Sequence, residues 1–195
     1  MSTAVAPVRP GQVLADLLPA SRVRDAALVL GGAALTGLAA QIAVPVPGSP
    51  VPVTGQTFAV LLVGMTLGAG RGFLSLALYA VAGVAGVPWF ADGGSGAAAA
   101  SFGYILGMIL ASTVVGALAR RGADRSMWRT AGAMLLGEAI IYAVGVPYLA
   151  YAADLSLSGA VDVGLTNYLI GDALKAALAM GLLPTAWKLL NRDER

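Results

Sequence analysis

Asn167-Tyr168-Leu169-Ile170-Gly171-Asp172-Ala173-Leu174-Lys175-Ala176-Ala177-Leu178 opens the last apolar run of the chain, and it carries an acid and a base three residues apart. On a helix, positions i and i+3 share a face, so Asp172 and Lys175 project side by side. In a bilayer each ionised group costs roughly 2.5 to 3.5 kcal/mol at mid-depth before any pairing. A sequence that keeps both there points to a use for them.

Composition places that run in a membrane. The chain has 195 residues, 58% hydrophobic and 11% charged, where an ordinary soluble domain has about 25% charged. The expectation is one all-α integral membrane domain. Cysteine and histidine are both absent, which removes disulfides, thiolate catalysis and the usual zinc, haem and iron–sulfur ligand sets. No cofactor or metal site is expected. The net charge is only +2 and the basic residues sit beside apolar runs, so topology explains them better than a nucleic-acid partner does.

Residues 1–25 hold Pro7, Pro10 and Pro19 and a short amphipathic piece at 13–18, read as a cytoplasmic tail lying along the interface. A first spanning helix is expected at 26–44. Its small residues repeat every four, Ala33 with Gly37 and Gly32 with Thr36 and Ala40, a stripe that lets another helix approach closely. Residues 45–57 are uncharged, with four prolines between Pro45 and Pro52. Proline fixes φ and lacks a backbone donor, so this is a stiff extended loop, read as an outer lid.

Further spans are expected at 56–69, 73–87, 101–119, 130–153 and 167–190. Gly70-Arg71-Gly72 reads as a tight basic turn, Pro147 as an interruption of the fifth span, and 154–166 as an outer loop. The loop Ala91-Asp92-Gly93-Gly94-Ser95-Gly96 is able to turn backbone N–H groups toward an anion, but it lacks the Gly-Lys-Ser/Thr ending of a nucleotide loop.

Charge distribution supports six spans with both termini cytoplasmic. The inside segments then hold Arg9, Arg22, Arg24, Arg71, Arg120, Arg121, Arg125, Arg129, Lys188, Arg192 and Arg195, and the outside loops hold no Lys or Arg. Only Lys175 lies within a span. Five or seven spans would scatter these cations over both faces, against the positive-inside bias. The expected organisation is a tail at 1–25, a six-helix transmembrane domain at 26–190 and a cytoplasmic tail at 191–195.

These residues resemble the BioY family of biotin transporters, substrate-binding (S) components of energy-coupling factor (ECF) systems. The resemblance rests on Pro47-Gly48-Ser49-Pro50-Val51-Pro52-Val53-Thr54-Gly55-Gln56-Thr57-Phe58, on Gly86-Val87-Pro88-Trp89-Phe90-Ala91, and on Gly171-Asp172-Ala173-Leu174-Lys175-Ala176. It implies an S-component bundle of six helices, high-affinity capture of biotin from outside across the cytoplasmic membrane, and association with a transmembrane coupling protein and ATPases. One departure stands out: the family's fifth helix has a Gly-Asn pattern where this chain has Gly137-Glu138-Ala139-Ile140-Ile141-Tyr142.

The pair fits the ligand chemically. A ureido ring offers two N–H donors to the Asp172 carboxylate and a carbonyl to the Lys175 ammonium, both charge-assisted. The candidate binding set is Asp172, Lys175, Gln56, Thr54, Gly55, Tyr142 and Gly94, the last as part of an amide nest for the valerate carboxylate. The opposite orientation, with the carboxylate on Lys175, stays open. Duller alternatives are an intrahelical ion pair for Asp172 and Lys175, helix-start groups for Gln56 and Thr54, and core packing for Tyr142 and Tyr104. Ala33 and Gly37 are the candidate contacts for the coupling protein, with internal packing as their alternative. The rival functions are an S-component for another vitamin and a solitary secondary biotin transporter. Nothing in the sequence has the spacing of an intramembrane enzyme.

Overall fold

The structure, a computed structural model, describes residues 11–190. Residues 1–10 and 191–195, with Arg9, Arg192 and Arg195, lie outside the described residues. Six main helices follow the expected spans: α1 Arg22–Ala40, α2 Gln56–Leu67, α3 Ala69–Val84, α4 Phe102–Arg120, α5 Met127–Ala152 and, counting the short helix α6 Leu157–Gly164, α7 Leu169–Leu190. A two-stranded antiparallel hairpin, β1 Ala43–Val44 with β2 Val53–Thr54, carries the proline-rich loop. This is a multi-pass membrane architecture. Helices α1, α4, α5 and the α6–α7 segment are long and apolar enough to cross a bilayer, while α2 and α3 are shorter apolar helices.

The shortness of α2 creates the site. Its 12 residues span about 18 Å at 1.5 Å per residue, well under the ~30 Å of hydrocarbon. The hairpin and its loop cover what α2 leaves open at one end, and non-helical backbone at such depth is tolerated where it lines a cavity. At the other end, Gly68 alone separates α2 from α3, with a left-handed φ of 82° that only glycine adopts without strain. The turn therefore sits at Gly68 and not at Gly70-Arg71-Gly72, which form the first turns of α3.

Two other expectations change and a third gains detail. Helix α5 runs through Pro147. Proline costs it one backbone bond, to the Ala143 carbonyl, and the flanking turns hold the rest, as in other membrane helices. Residues 157–164, expected as loop, are helical, started by the Ser156 hydroxyl accepting from Gly159 N at 3.1 Å. The 13–18 piece, expected to lie along the interface, is packed against the bundle. It makes a 3-10 turn at Leu14–Leu17 with Val13 fully buried and is tied underneath the bundle by Asp16, which pairs with Arg71 and, at 3.3 Å, Arg120.

Helix association without a hydrophobic driving force relies on close approach of small residues. Gly116 shows it: a Cβ there would stand 2.5 Å from Ala69 N, so α4 meets the start of α3 backbone to backbone. The core fills with Leu61 and Met65 of α2, Leu76 of α3, and Met134 and Ile141 of α5, all buried. Lipid-facing positions such as Val23, Leu30 and Leu38 of α1 are exposed.

The small-residue stripe of α1 is used internally. Ala33 is 1% exposed, a Cβ on Gly37 would touch the Trp89 ring at 3.0 Å, and Gly32 abuts Ser75. Ala33 and Gly37 are therefore packed inside this chain, the internal alternative to their reading as partner contacts. Periodicity identified a stripe of small residues but not which neighbour would claim it.

Candidate functional site

Beneath the hairpin lies a cavity with about 550 Å³ of empty space, counting its open mouth. Val51, Pro52 and Thr54 roof it, Gln56 and Thr57 come from α2, Tyr104, Ile105 and Met108 from α4, Ile141 and Tyr142 from α5, and Tyr168, Asp172 and Lys175 from the start of α7 and the turn before it. The lining is mostly apolar, with a few convergent polar groups.

Asp172 and Lys175 face this cavity on the same side of α7. Lys175 Nζ donates to Asp172 Oδ1 at 3.0 Å and to Thr57 Oγ1 at 2.8 Å, bridging α7 to α2. The Tyr142 hydroxyl donates to Asp172 Oδ2 from α5. The two side chains are only 9% and 14% exposed, so the pair is held in three dimensions by two other helices. An ammonium has three donors, and these contacts use two. Each carboxylate oxygen of Asp172 keeps a further lone pair. A ligand presenting N–H donors beside a carbonyl completes both groups.

Gln56 and Thr54 also line the cavity, but their described bonds are internal. Gln56 Nε2 donates to the Tyr79 hydroxyl at 2.8 Å, and Gln56 Oε1 accepts from Thr54 Oγ1 at 3.2 Å. Tyr79 in turn donates to the Trp89 carbonyl at 3.2 Å. This chain fixes the start of α2 to α3 and to the loop at 88–90.

Two candidates fall outside the cavity wall. Gly55 donates its N–H to the Ile42 carbonyl at 3.0 Å and packs against Ala39, closing the hairpin. Gly94 donates to Ala91 O at 3.1 Å, Gly93 to Phe90 O at 3.1 Å and Gly96 to Gly83 O at 2.9 Å. The loop spends these amides on its own turn, so they do not form an anion nest. A glycine-rich stretch reads alike in sequence whether its amides point inward or outward.

The sequence reading missed three contributors. Thr57 receives the ammonium. Tyr168 donates its hydroxyl to the Val51 carbonyl and sits 3.1 Å from Ser49 Oγ, pinning the lid over the cavity. Its signal was available, since it stands four residues before Asp172 and so shares that face. Tyr104, read as core, bonds Gly164 O at 2.8 Å and makes an aromatic wall with Tyr142 at a ring distance of 6.3 Å and, through it, Tyr168. Only folding brings that ring there from α4. Close by, Glu138 is buried and neither of its carboxylate oxygens has a hydrogen-bond partner. Among the described residues no cluster of three or more acidic side chains is placed to hold a metal ion.

The profile of the BioY family matches residues 11–192. A protein of Pyrococcus horikoshii named "Probable biotin transporter BioY" is 35% identical over 159 residues, covering 82% of this chain and 93% of the relative. The "Biotin transporter BioY" of Thermotoga maritima is 34% identical over 139 residues, covering 70% and 80%. Among solved structures, the S-component for biotin from an ECF-type ABC transporter superposes with a TM-score of 0.77 at 19% identity, covering 87% of this chain and 95% of that one. The last likeness speaks for the fold alone.

Proposed function

Because this chain belongs to the BioY family, as the match over 11–192 shows, we propose that it captures biotin at the outer face of the cytoplasmic membrane as the substrate-binding subunit of an ECF-type ABC transporter. It is a substrate-binding membrane protein and not an enzyme. The observation that carries this reading is the Asp172–Lys175 pair at the wall of a lidded cavity, with one ammonium donor and two carboxylate lone pairs left for a ligand.

In this reading the ureido ring lies against the pair. Its N–H groups donate to Asp172, and its carbonyl accepts the third hydrogen of Lys175. The fused ring and valerate chain run along Tyr142, Tyr104, Ile105 and Met108, burying apolar surface worth about 25 cal/mol per Å². The carboxylate points toward the mouth, where Ser101, at the start of α4, is a polar lining group. The charged end, which described Lys and Arg residues crowd, would then be cytoplasmic.

The sequence holds no nucleotide-binding motif, so ATP-driven uptake assigns hydrolysis to partner ATPases acting through a coupling protein. The test is equilibrium binding of labelled biotin to the purified chain, competed with other vitamins, followed by uptake into proteoliposomes with and without the partners. Biotin alone should compete, and uptake should require ATP hydrolysis. Preference for another vitamin would replace the ligand. ATP-independent accumulation by the chain alone would replace the transport mode.

A further inference from the structure

Beside the cavity, but not on its lining, the bundle buries a second acid, Glu138, that the ligand contacts leave unused. Glu138 stands one helical turn before Tyr142 on α5, beside Thr57 and within electrostatic reach of Asp172 and Lys175. Both its oxygens are buried without a hydrogen-bond partner. Elements around α5 add no other charge at this depth. Helix α2 has none, and α4 offers the Tyr104 hydroxyl, its Arg120 lying at the far end. Asp124 and Arg125, in the turn before α5, engage Trp187 at the inner end, where Arg129 and Lys188 also lie, and Asp162 on α6 is exposed at the outer end. Tyr142 and Tyr168 contribute neutral hydroxyls.

One ammonium, paired with Asp172, is therefore within electrostatic reach of a second, buried carboxylate. With both acids ionised, the group carries an uncompensated negative charge, which burial penalises heavily. One proton makes the group neutral, and like-charged acids sharing a site hold a proton for this reason. The orphaned oxygens of Glu138, against the hydrogen-bonded ones of Asp172, point to where it resides.

We propose that Glu138 is a proton-binding site linked to ligand capture: Glu138 holds a proton before biotin binds, and binding releases it. This rests on the ureido orientation given above. When the ring's N–H groups draw on Asp172, the Lys175 ammonium loses part of its counter-charge. Glu138, across Thr57, supplies it by giving up the proton of its carboxyl O–H to water. No other bond changes.

The experiment is titration calorimetry of biotin binding to the intact chain in buffers of different ionisation enthalpy. The expected result is release of about one proton, with Kd falling up to ~10-fold per pH unit as pH rises through the acidic range. Glu138→Gln should abolish the buffer dependence and flatten the pH profile. Biotin binding with no proton exchange, or with uptake, overturns this inference and leaves the biotin reading standing. Should the wild-type chain not bind biotin, that reading fails separately. Difference infrared spectra of wild type against Glu138→Gln then decide the proton site: a protonated-carboxyl band in wild type supports it, and its absence overturns it.

Discussion

The molecule contains two acid–base networks, one at each end, and they differ in what surrounds them. At the inner end, Arg71 pairs with Asp16 and, at 3.2 Å, with Asp25, while Arg120 reaches Asp16 at 3.3 Å. Asp25 and Arg120 are 49% and 45% exposed, and cations predominate. Water screens the pairs made by Asp25 and Arg120, worth about 0–1 kcal/mol each, while Arg71 and Asp16, 12% and 19% exposed, are shielded much as the other network is. At the other end one ammonium pairs with one largely buried acid under a lid, with Glu138 buried nearby. There, removing one partner strands the other at a cost of ~3–5 kcal/mol. The same side-chain chemistry anchors the tail in one place and is available to recognise a ligand in the other, and the cavity that Asp172 and Lys175 line decides which.

The sharpest way to break this comparison is to cut each network once. Lys175→Ala or Asp172→Asn should lower biotin affinity by ~100-fold or more, because each removes a charge-assisted bond of about 1.5–3 kcal/mol and strands its neighbour. Arg120→Ala, at the exposed edge of the other network, should leave affinity within about 3-fold and cost ~1 kcal/mol of stability. Labelled-biotin binding and thermal unfolding on the same detergent-solubilised samples read both. Normal affinity in both outer variants, each folded, would remove the site.

A smaller effect is expected at the lid. Tyr168→Phe keeps the aromatic wall and removes one hydroxyl bond to the Val51 carbonyl. At about 1 kcal/mol, that loosens the roof and should speed biotin release ~5-fold with little change in the rate of binding. Stopped-flow displacement measures it. An unchanged off-rate would mean that Tyr168 does not hold the lid.

The comparison also explains what was legible in the sequence. Helix number and the crowding of cations at one end follow from hydropathy and charge, which are local and additive. The Asp172–Lys175 pair was visible because both residues sit on one helix at a fixed angular spacing, and Tyr168 was readable on the same grounds. The rest depended on partners far away in the chain. Nothing near Ala33 or Gly37 announces that Trp89 will fill the groove beside them, and nothing near Gly94 shows that its amide turns to Ala91. Tyr104 reaches the cavity only because α4 packs along α5. The 13–18 piece had the right amphipathic pattern for a membrane surface, and nothing in that pattern shows that Asp16 finds two arginines underneath the bundle.

The smallest expected effect sharpens the inner side of the comparison. Asp124, in the turn between α4 and α5, is the exception there: it is fully buried, with Oδ2 accepting from Trp187 Nε1 at 2.6 Å and Oδ1 unpartnered. Burial pushes its carboxyl above the usual 3.8, against the opposing pull of the Trp187 bond and the nearby Arg125. The folded state therefore binds this proton more tightly than the unfolded chain does. Its contribution to stability is fully present below 3.8 and is lost as pH rises through the folded value. Asp124→Asn keeps an acceptor for Trp187 and has nothing to titrate, so it should flatten the stability profile just above 3.8 and leave biotin affinity untouched. Thermal unfolding of both proteins across that range checks it. An equal slope in wild type and variant would show that Asp124, like the exposed acids around it, is solvated after all.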